Sequence, residues 1–310
     1  MALGCETNYF GHPELSQRAR GLKTIEDAQF IASDCIQRAS NSSEEPANYL
    51  IVGGGYTGFE TAAAISRIYR NKTGLGGERL RKVASIRIME IMSHVFPHSS
   101  PRVRKWAAEL ARENGLEIKT KTTVREVHDD GAALLSTGEL VRGARVIWTA
   151  GVAPGPELWQ MPVKKTKGDR ILTNEFLQLP GHERVYFAGD SAGVIPAGSD
   201  RPLNMSVQAA VSEGRRAALN VLCALQGRRV GAYRPRQLGY VVPLMEGVAL
   251  GNVLGLEVYG RIPFLLHYAI SVLMAWDWRQ QRAIASGFFR AATKKGAAKK
   301  AAFTDLFPDQ

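Results

Sequence analysis

Between Asn48 and Arg70 the chain reads NYLIVGGGYTGFETAAAISRIYR: a short branched apolar run, a glycine cluster, then a stretch of helical periodicity. No other feature constrains the fold as strongly. A strand that ends in Gly53-x-Gly55-x-x-Gly58 and runs straight into a helix is half of a βαβ nucleotide-binding unit. Gly53 permits the tight turn, Gly55 leaves room for a pyrophosphate, and Gly58 lets helix and strand pack closely. The helix N-terminus adds free N–H groups and the positive end of its dipole. Glycine-rich turns also arise for purely structural reasons, and the flanking strand and helix are what favour nucleotide binding here.

The segments that follow repeat the alternation. SIRIMEIM is a second strand, PRVRKWAAELARENG a helix closed by Gly115, and LEIKT, TVREVHDD and AALLSTG are short strand-like pieces around a turn at Asp129-Asp130-Gly131. RVIWTAGVAP then returns from Arg145 as a strand ending in the glycine turn at Gly151. This order predicts an α/β protein with a doubly wound nucleotide-binding domain and a β-meander crossover. Glu90 ends the second strand, where an acid accepts hydrogen bonds from an adenine ribose and repels a 2′-phosphate, so NADH is favoured over NADPH. The gap from the glycines exceeds the usual ~20 residues. A solvated strand-end glutamate is therefore the alternative, and Arg81 and Arg87 keep NADPH open. Further on, ERVYFAGDSAG supplies a strand ending in Gly189-Asp190, and a long helix is predicted from about Asn204 to Gln226. A carboxylate at such a strand end can bond a ribityl hydroxyl of a flavin, while for an isolated Gly-Asp a turn cap is the plainer reading.

With 310 residues, 45% hydrophobic and 22% charged, the chain can bury one or two cores, and disorder throughout is excluded. Cys5, Cys35 and Cys223 are far apart with no CxxC and no metal-ligand spacing, which excludes a dithiol relay and a metal centre and fits a reducing compartment. The N-terminus lacks the basic and apolar regions of a signal peptide. The longest apolar stretch, Ile262 to Trp276, is shorter than the ~20 residues a membrane span needs.

As a set, LGCETNYFG, LKTIEDA, YLIVGGGYTGFE, IRIMEIMSHVFP, VIWTAGVAP, VYFAGDSAG and NMSVQAAVSEGRRAALNV resemble the type II NADH dehydrogenases (NADH:quinone oxidoreductases), within the FAD/NAD(P)-dependent pyridine nucleotide-disulfide reductase-like group. The pieces fall in the family's order over most of residues 1–225. The resemblance implies a two-dinucleotide-binding, Rossmann-like flavoprotein in which FAD carries electrons from NADH to a quinone. It places NADH contacts on Gly53, Gly55, Gly58, Glu90 and Gly151, and FAD contacts on Gly189 and Asp190. The turn before the long helix would face the flavin pyrimidine edge. It places the family's acid on Glu60, where nicotinamide, flavin and quinone meet, and its Ala-Gln pair at the quinone end on Val207-Gln208. It implies four segments: 1–45 as a remnant of the FAD domain, 46–153 as a complete NAD(H) domain, 154–235 as the C-terminal half of the FAD domain, and 236–310 as a helical, membrane-associating tail. The family's opening strand–GxGxxG–helix for the FAD adenosine is not found, so an incomplete FAD domain is expected. Ser212-Glu213 stands where the family commonly has a Gln pair, which leaves the acceptor open. Two other readings stay open: a flavin-dependent NAD(P)H reductase with a soluble acceptor, and a non-catalytic NAD(H)-binding fragment that has lost FAD. The redox cysteines of a sulfide:quinone reductase are not matched.

The net charge of +11 suits adhesion to polyanions. One reading makes Ile262–Trp276 a membrane-surface helix anchored by Phe264, Leu265, Trp276 and Trp278, with Lys294, Lys295, Lys299 and Lys300 at anionic headgroups. The other makes it a helix covering the flavin-domain core, beside a solvated basic tail. Nucleic-acid binding has no accompanying motif. The expected location is cytoplasmic, or peripheral on the inner face of the cell membrane, with a homodimer left open.

Overall fold

The computed structural model describes residues 1–41, 45–97, 99–236, 238–245, 247–275 and 277–293. The chain forms two compact units, one of Met1–Gly11 with Gly151–Gln237 and one of His12–Ala150 with Leu238–Gln310.

The larger unit is built on a parallel sheet. Its elements are β1 (Arg20–Gly21), α1 (Ile25–Ser40), β2 (Ala47–Val52), α2 (Tyr56–Thr73), β3 (Ala84–Glu90), α3 (Pro101–Glu113), β4 (Leu116–Thr120), a meander of β5 (Val124–Val127), β6 (Ala133–Leu135) and β7 (Leu140–Val141), and the returning strand β8 (Ala144–Trp148). The spatial order is β1-β8-β2-β3-β4, with every pairing parallel. Tyr49, Leu50, Ile51 and Val52 are all buried, as expected of a strand covered on both faces. The predicted doubly wound arrangement and its antiparallel meander are both present.

Local chemistry sets the helix ends. Ser100 caps α3 by accepting from the Val103 N–H at 3.3 Å, with Pro101 at the first helical position. Thr24 and Asp27 form a reciprocal capping box at the start of α1. Asp34 then ties α1 to β8 through Arg145 at 2.5 Å. Ile31 and Cys35 of α1 lie in the same core as Tyr49 and Ile65, each large buried side chain contributing roughly 1.5–3 kcal/mol. That burial groups α1 with the glycine-loop unit.

The smaller unit collects short strands around Leu158, Ile171, Leu177, Phe187 and Leu203. Its principal elements are β9 (His182–Tyr186) and α4 (Val207–Leu225), the latter capped by Ser206. Glu6–Thr7 pairs antiparallel with Val152–Ala153, and Ile171–Leu172 pairs parallel with Ala192–Gly193.

The chain then re-enters the larger unit as β10 (Gly239–Met245), β11 (Val248–Val253) and β12 (Leu256–Gly260), followed by α5 (Arg261–Met274) and α6 (Trp278–Thr293). The three strands form an antiparallel sheet that sequence reading did not resolve. Val242, Leu244 and Leu250 join the core of the larger unit, and Tyr259 stacks on Trp106 of α3 at 4.8 Å. α5 packs on β10 and β11. Trp276 and the basic residues Lys294, Lys295, Lys299 and Lys300 lie outside the described residues. Among the described residues no helix is long and apolar enough to cross a membrane.

Candidate functional site

The glycine loop shows what each glycine is for. Gly53 has φ +114°, and a Cβ there would meet Ala150 Cα at 2.7 Å. At Gly58 a Cβ would collide with the Gly53 carbonyl oxygen and lie 2.8 Å from Thr149 Oγ1. Gly55 differs: its backbone is extended, and a Cβ would meet nothing within 4 Å. Closed packing at Gly53 and Gly58 therefore supports an open cradle at Gly55, directly before the free N–H groups of α2.

Glu90 lies beneath this cradle. It is buried, and its two carboxylate oxygens accept separately, Oε2 from the Gly54 N–H at 2.8 Å and Oε1 from the Met92 N–H at 2.8 Å. It is thus a buried organiser of the loop rather than a solvated strand end, and each oxygen keeps acceptor capacity for a hydroxyl. The motif's second position conceals a further requirement, since a Cβ on Gly54 would lie 2.8 Å from Glu90 Oε2. Arg87 and Arg81 are committed elsewhere. Arg87 pairs with Glu139 at 2.6 Å, and Arg81 donates to the Leu116 carbonyl at 3.2 Å.

Glu60 sits on α2, just inside the helix from the cradle. Burial alone pushes its carboxyl up to about 7, so both protonation states are populated near neutral pH. Tyr56, the first helical residue, stacks on Phe96 at 4.9 Å and approaches Tyr240 of β10 at 5.1 Å. The Ser99 hydroxyl lies 3.5 Å from the Tyr56 hydroxyl and 3.3 Å from that of Tyr240. The C-terminal sheet thus braces the loop, a role the sequence gave no means to anticipate.

Gly151, Gly189, Asp190 and Gln208 belong to the smaller unit. Gly151 accepts from the Asn8 N–H through its carbonyl at 3.0 Å, and a Cβ there would touch Phe10 at 3.0 Å. Gly189 has φ +74°, the left-handed region that glycine tolerates best. Its N–H donates to Glu213 Oε2 at 2.8 Å. Asp190 accepts from the Cys5 thiol at 3.1 Å, a contact across 185 residues. Gln208 donates to the Arg236 carbonyl at 3.1 Å. The sequence-predicted residues therefore form two sets, Gly53, Gly55, Gly58, Glu60 and Glu90 in one unit and the remaining four in the other. Sequence reasoning missed the parts played by Gly54, Thr149 and Cys5, since the variable position of a glycine motif, a strand-end threonine and a lone cysteine carry no signal of their own. Among the described residues no group of three or more His, Cys, Asp or Glu could hold a metal.

A parallel sheet that ends in an open glycine cradle makes a Rossmann-like fold, one that solved reductase structures share. The profile of the pyridine nucleotide-disulphide oxidoreductases matches residues 1–214, and the chain belongs to that family. It is 26% identical over 272 residues to a type II NADH:quinone oxidoreductase of Staphylococcus haemolyticus, covering 84% of this chain and 66% of the relative. It is 28% identical over 209 residues to an external alternative NAD(P)H-ubiquinone oxidoreductase B1, mitochondrial, of Arabidopsis thaliana, covering 63% of this chain and 37% of the relative. The chain thus spans a little under two thirds of the length of the staphylococcal relative. The structure of NDH2 from Plasmodium falciparum in complex with NADH superimposes with a TM-score of 0.78 at 14% identity, covering 96% of this chain and 78% of that one. Putidaredoxin reductase, in its covalent complex with putidaredoxin, superimposes with a TM-score of 0.60 at 22% identity, covering 81% and 56%.

Proposed function

We propose that this chain is the NADH-handling part of an NADH:quinone oxidoreductase that works through FAD. One observation carries the reading. The loop is closed by backbone at Gly53 and Gly58 yet open at Gly55, with the buried Glu90 carboxylate beneath it. This is the shape a pyrophosphate and an adenine ribose require. Gly53, Gly55, Gly58 and Glu90 would hold NADH, with Gly151 at the return of the chain. Gly189 and Asp190 would hold FAD, on a turn whose Gly189 has φ +74°. Residues 46–153 would then be the NADH part and 154–235 the flavin part. FAD, when bound, supplies the electron transfer from NADH to the acceptor. The protein's own contribution is orientation, exclusion of water and control of protons. Glu60, whose carboxyl burial raises to about 7, would give or take one. Gln208 would mark the quinone end.

The purified chain, mixed with FAD, should show protein-bound flavin bands that bleach when NADH is added anaerobically. Bound nucleotide without any flavin band would make the chain an NADH-binding module and sink the reductase reading.

A membrane-borne acceptor is supported by the outer face of α5. Ile262 is 81% exposed and Leu273 80% along α5, and Trp278 is 60% exposed at the start of α6. Arg279 and Arg282 each lie 5.6 Å from the Trp278 ring, setting cations beside it. Vesicles containing anionic lipid should therefore retain the chain, less so as salt rises. Leu273→Glu should weaken retention roughly tenfold, from the loss of one leucine that would enter the lipid. Failure to bind anionic vesicles at low salt would leave a soluble acceptor as the better reading.

A further inference from the structure

Glu213 is fully buried on α4 and reaches the back of the Gly189–Asp190 turn. Its Oε2 takes the Gly189 N–H, while its Oε1 has no hydrogen-bond partner among the described residues. Arg170, 4% exposed, donates to the Leu203 carbonyl and leaves its Nε without a partner. The titratable groups around Glu213 are Arg170, Asp190, Tyr233 and, through its contact with Asp190, Cys5. We propose that Glu213 is a positioning residue for the flavin, fixing the Gly189 turn from behind and setting the charge that the flavin faces. This rests on the reading of the turn as the FAD contact.

The physical case is one of geometry and charge. A buried carboxyl with one oxygen satisfied and one orphaned is costly when ionised, because the orphan has no donor to replace water. Desolvation accordingly pushes Glu213 up to about 7, helped by Asp190 and opposed by the Gly189 N–H and by Arg170. With Glu213 protonated, one guanidinium faces one carboxylate. With Glu213 ionised, the turn carries a net negative charge. Electrons arriving at a flavin on this turn would therefore be favoured by a proton on Glu213, and the two equilibria are linked.

The test compares the FAD-loaded wild-type chain with Glu213→Gln across pH ~5.5–8.5, a window bracketing the carboxyl. Two quantities are read: the flavin midpoint potential, and the thermal stability of the flavin-free chain. The glutamine carbonyl can still accept from Gly189, so flavin binding should persist. The inflection near neutrality should vanish, and above it the variant's potential should be less negative than that of the wild type. Glu213→Leu, which removes the acceptor, should lower FAD affinity about tenfold or more. Flavin that binds Glu213→Gln with the wild-type inflection and potential unchanged overturns the proposal alone. A wild-type chain that binds no flavin overturns the reading of the turn, and the proposal with it. In the flavin-free chain, stability should fall less with rising pH in Glu213→Gln than in the wild type. An identical fall would show that Glu213 does not titrate and would also overturn the proposal.

Discussion

Gly58→Ala is expected to lower the melting temperature and the NADH affinity together, whereas Gly55→Ala should abolish only the affinity. The difference follows from what each added methyl meets. At Gly58 it enters the Gly53 carbonyl and crowds Thr149 Oγ1, which itself donates to the Val52 carbonyl at 2.9 Å. Helix α2 must lift from β2, and overpacking of this kind costs typically 1–3 kcal/mol. In a domain of this size that is roughly 2–12 °C of melting temperature. Lifting the helix also misplaces the N–H groups that should cradle the phosphates, at least about tenfold in dissociation constant for each ~1.4 kcal/mol lost. At Gly55 the backbone is extended and the space above it is empty. Alanine there costs under about 1 kcal/mol as a helix cap, yet its methyl occupies the place proposed for the pyrophosphate. Calorimetric titration with NADH beside thermal melts separates the two. Wild-type NADH affinity in Gly55→Ala would mean that the dinucleotide lies elsewhere.

The contrast shows why so much of this unit could be read from the sequence. The strand β2, its glycines, α2 and the helix closed by Gly115 are set by contacts between residues close in the chain, so composition and spacing carry the information. Glu90 is legible for the same reason, as the end of the next strand. What escaped depends on distant pairings. Cys5 meets Asp190 across 185 residues, and nothing local to either predicts it. Strands β10–β12 escaped because Gly247 and Gly255 turn the chain and Gly239 and Gly251 sit where strands approach closely, so the apolar run looked like loop. Helix α1 was not read from the sequence, and its partner could not be, because Arg145 and Asp34 declare themselves only once the sheet has closed. Glu213 was noted in the sequence as a departure from a Gln pair. The structure explains the position: its carboxylate holds the Gly189 N–H, a task that a glutamine carbonyl could share.

Glu60→Gln should remove the pH limb near neutrality from the turnover of the FAD-loaded chain and lower its maximum by about a hundredfold or more, the usual scale of a lost general acid–base group. The carboxyl sits near 7 because burial disfavours its charged form, and no partner charge contributes. Glutamine has the same shape but no proton to exchange. The same carboxyl leaves a mark on stability, with a definite sign. The folded chain holds this proton more tightly than the unfolded chain, whose glutamate titrates at ~4.3. Stability is therefore greatest below that value, falls as pH rises through about 7, and is level above it. Glu60→Gln should flatten part of that fall, and Glu213→Gln a separate part, since the two residues lie in different units. Turnover distinguishes them more sharply. If the limb near 7 survives in Glu60→Gln and disappears in Glu213→Gln, the proton that limits turnover belongs to the flavin turn, and Glu60 serves packing alone. If it disappears only in Glu60→Gln, the acid on the glycine-loop helix handles the proton, and Glu213 acts on the potential without limiting the rate.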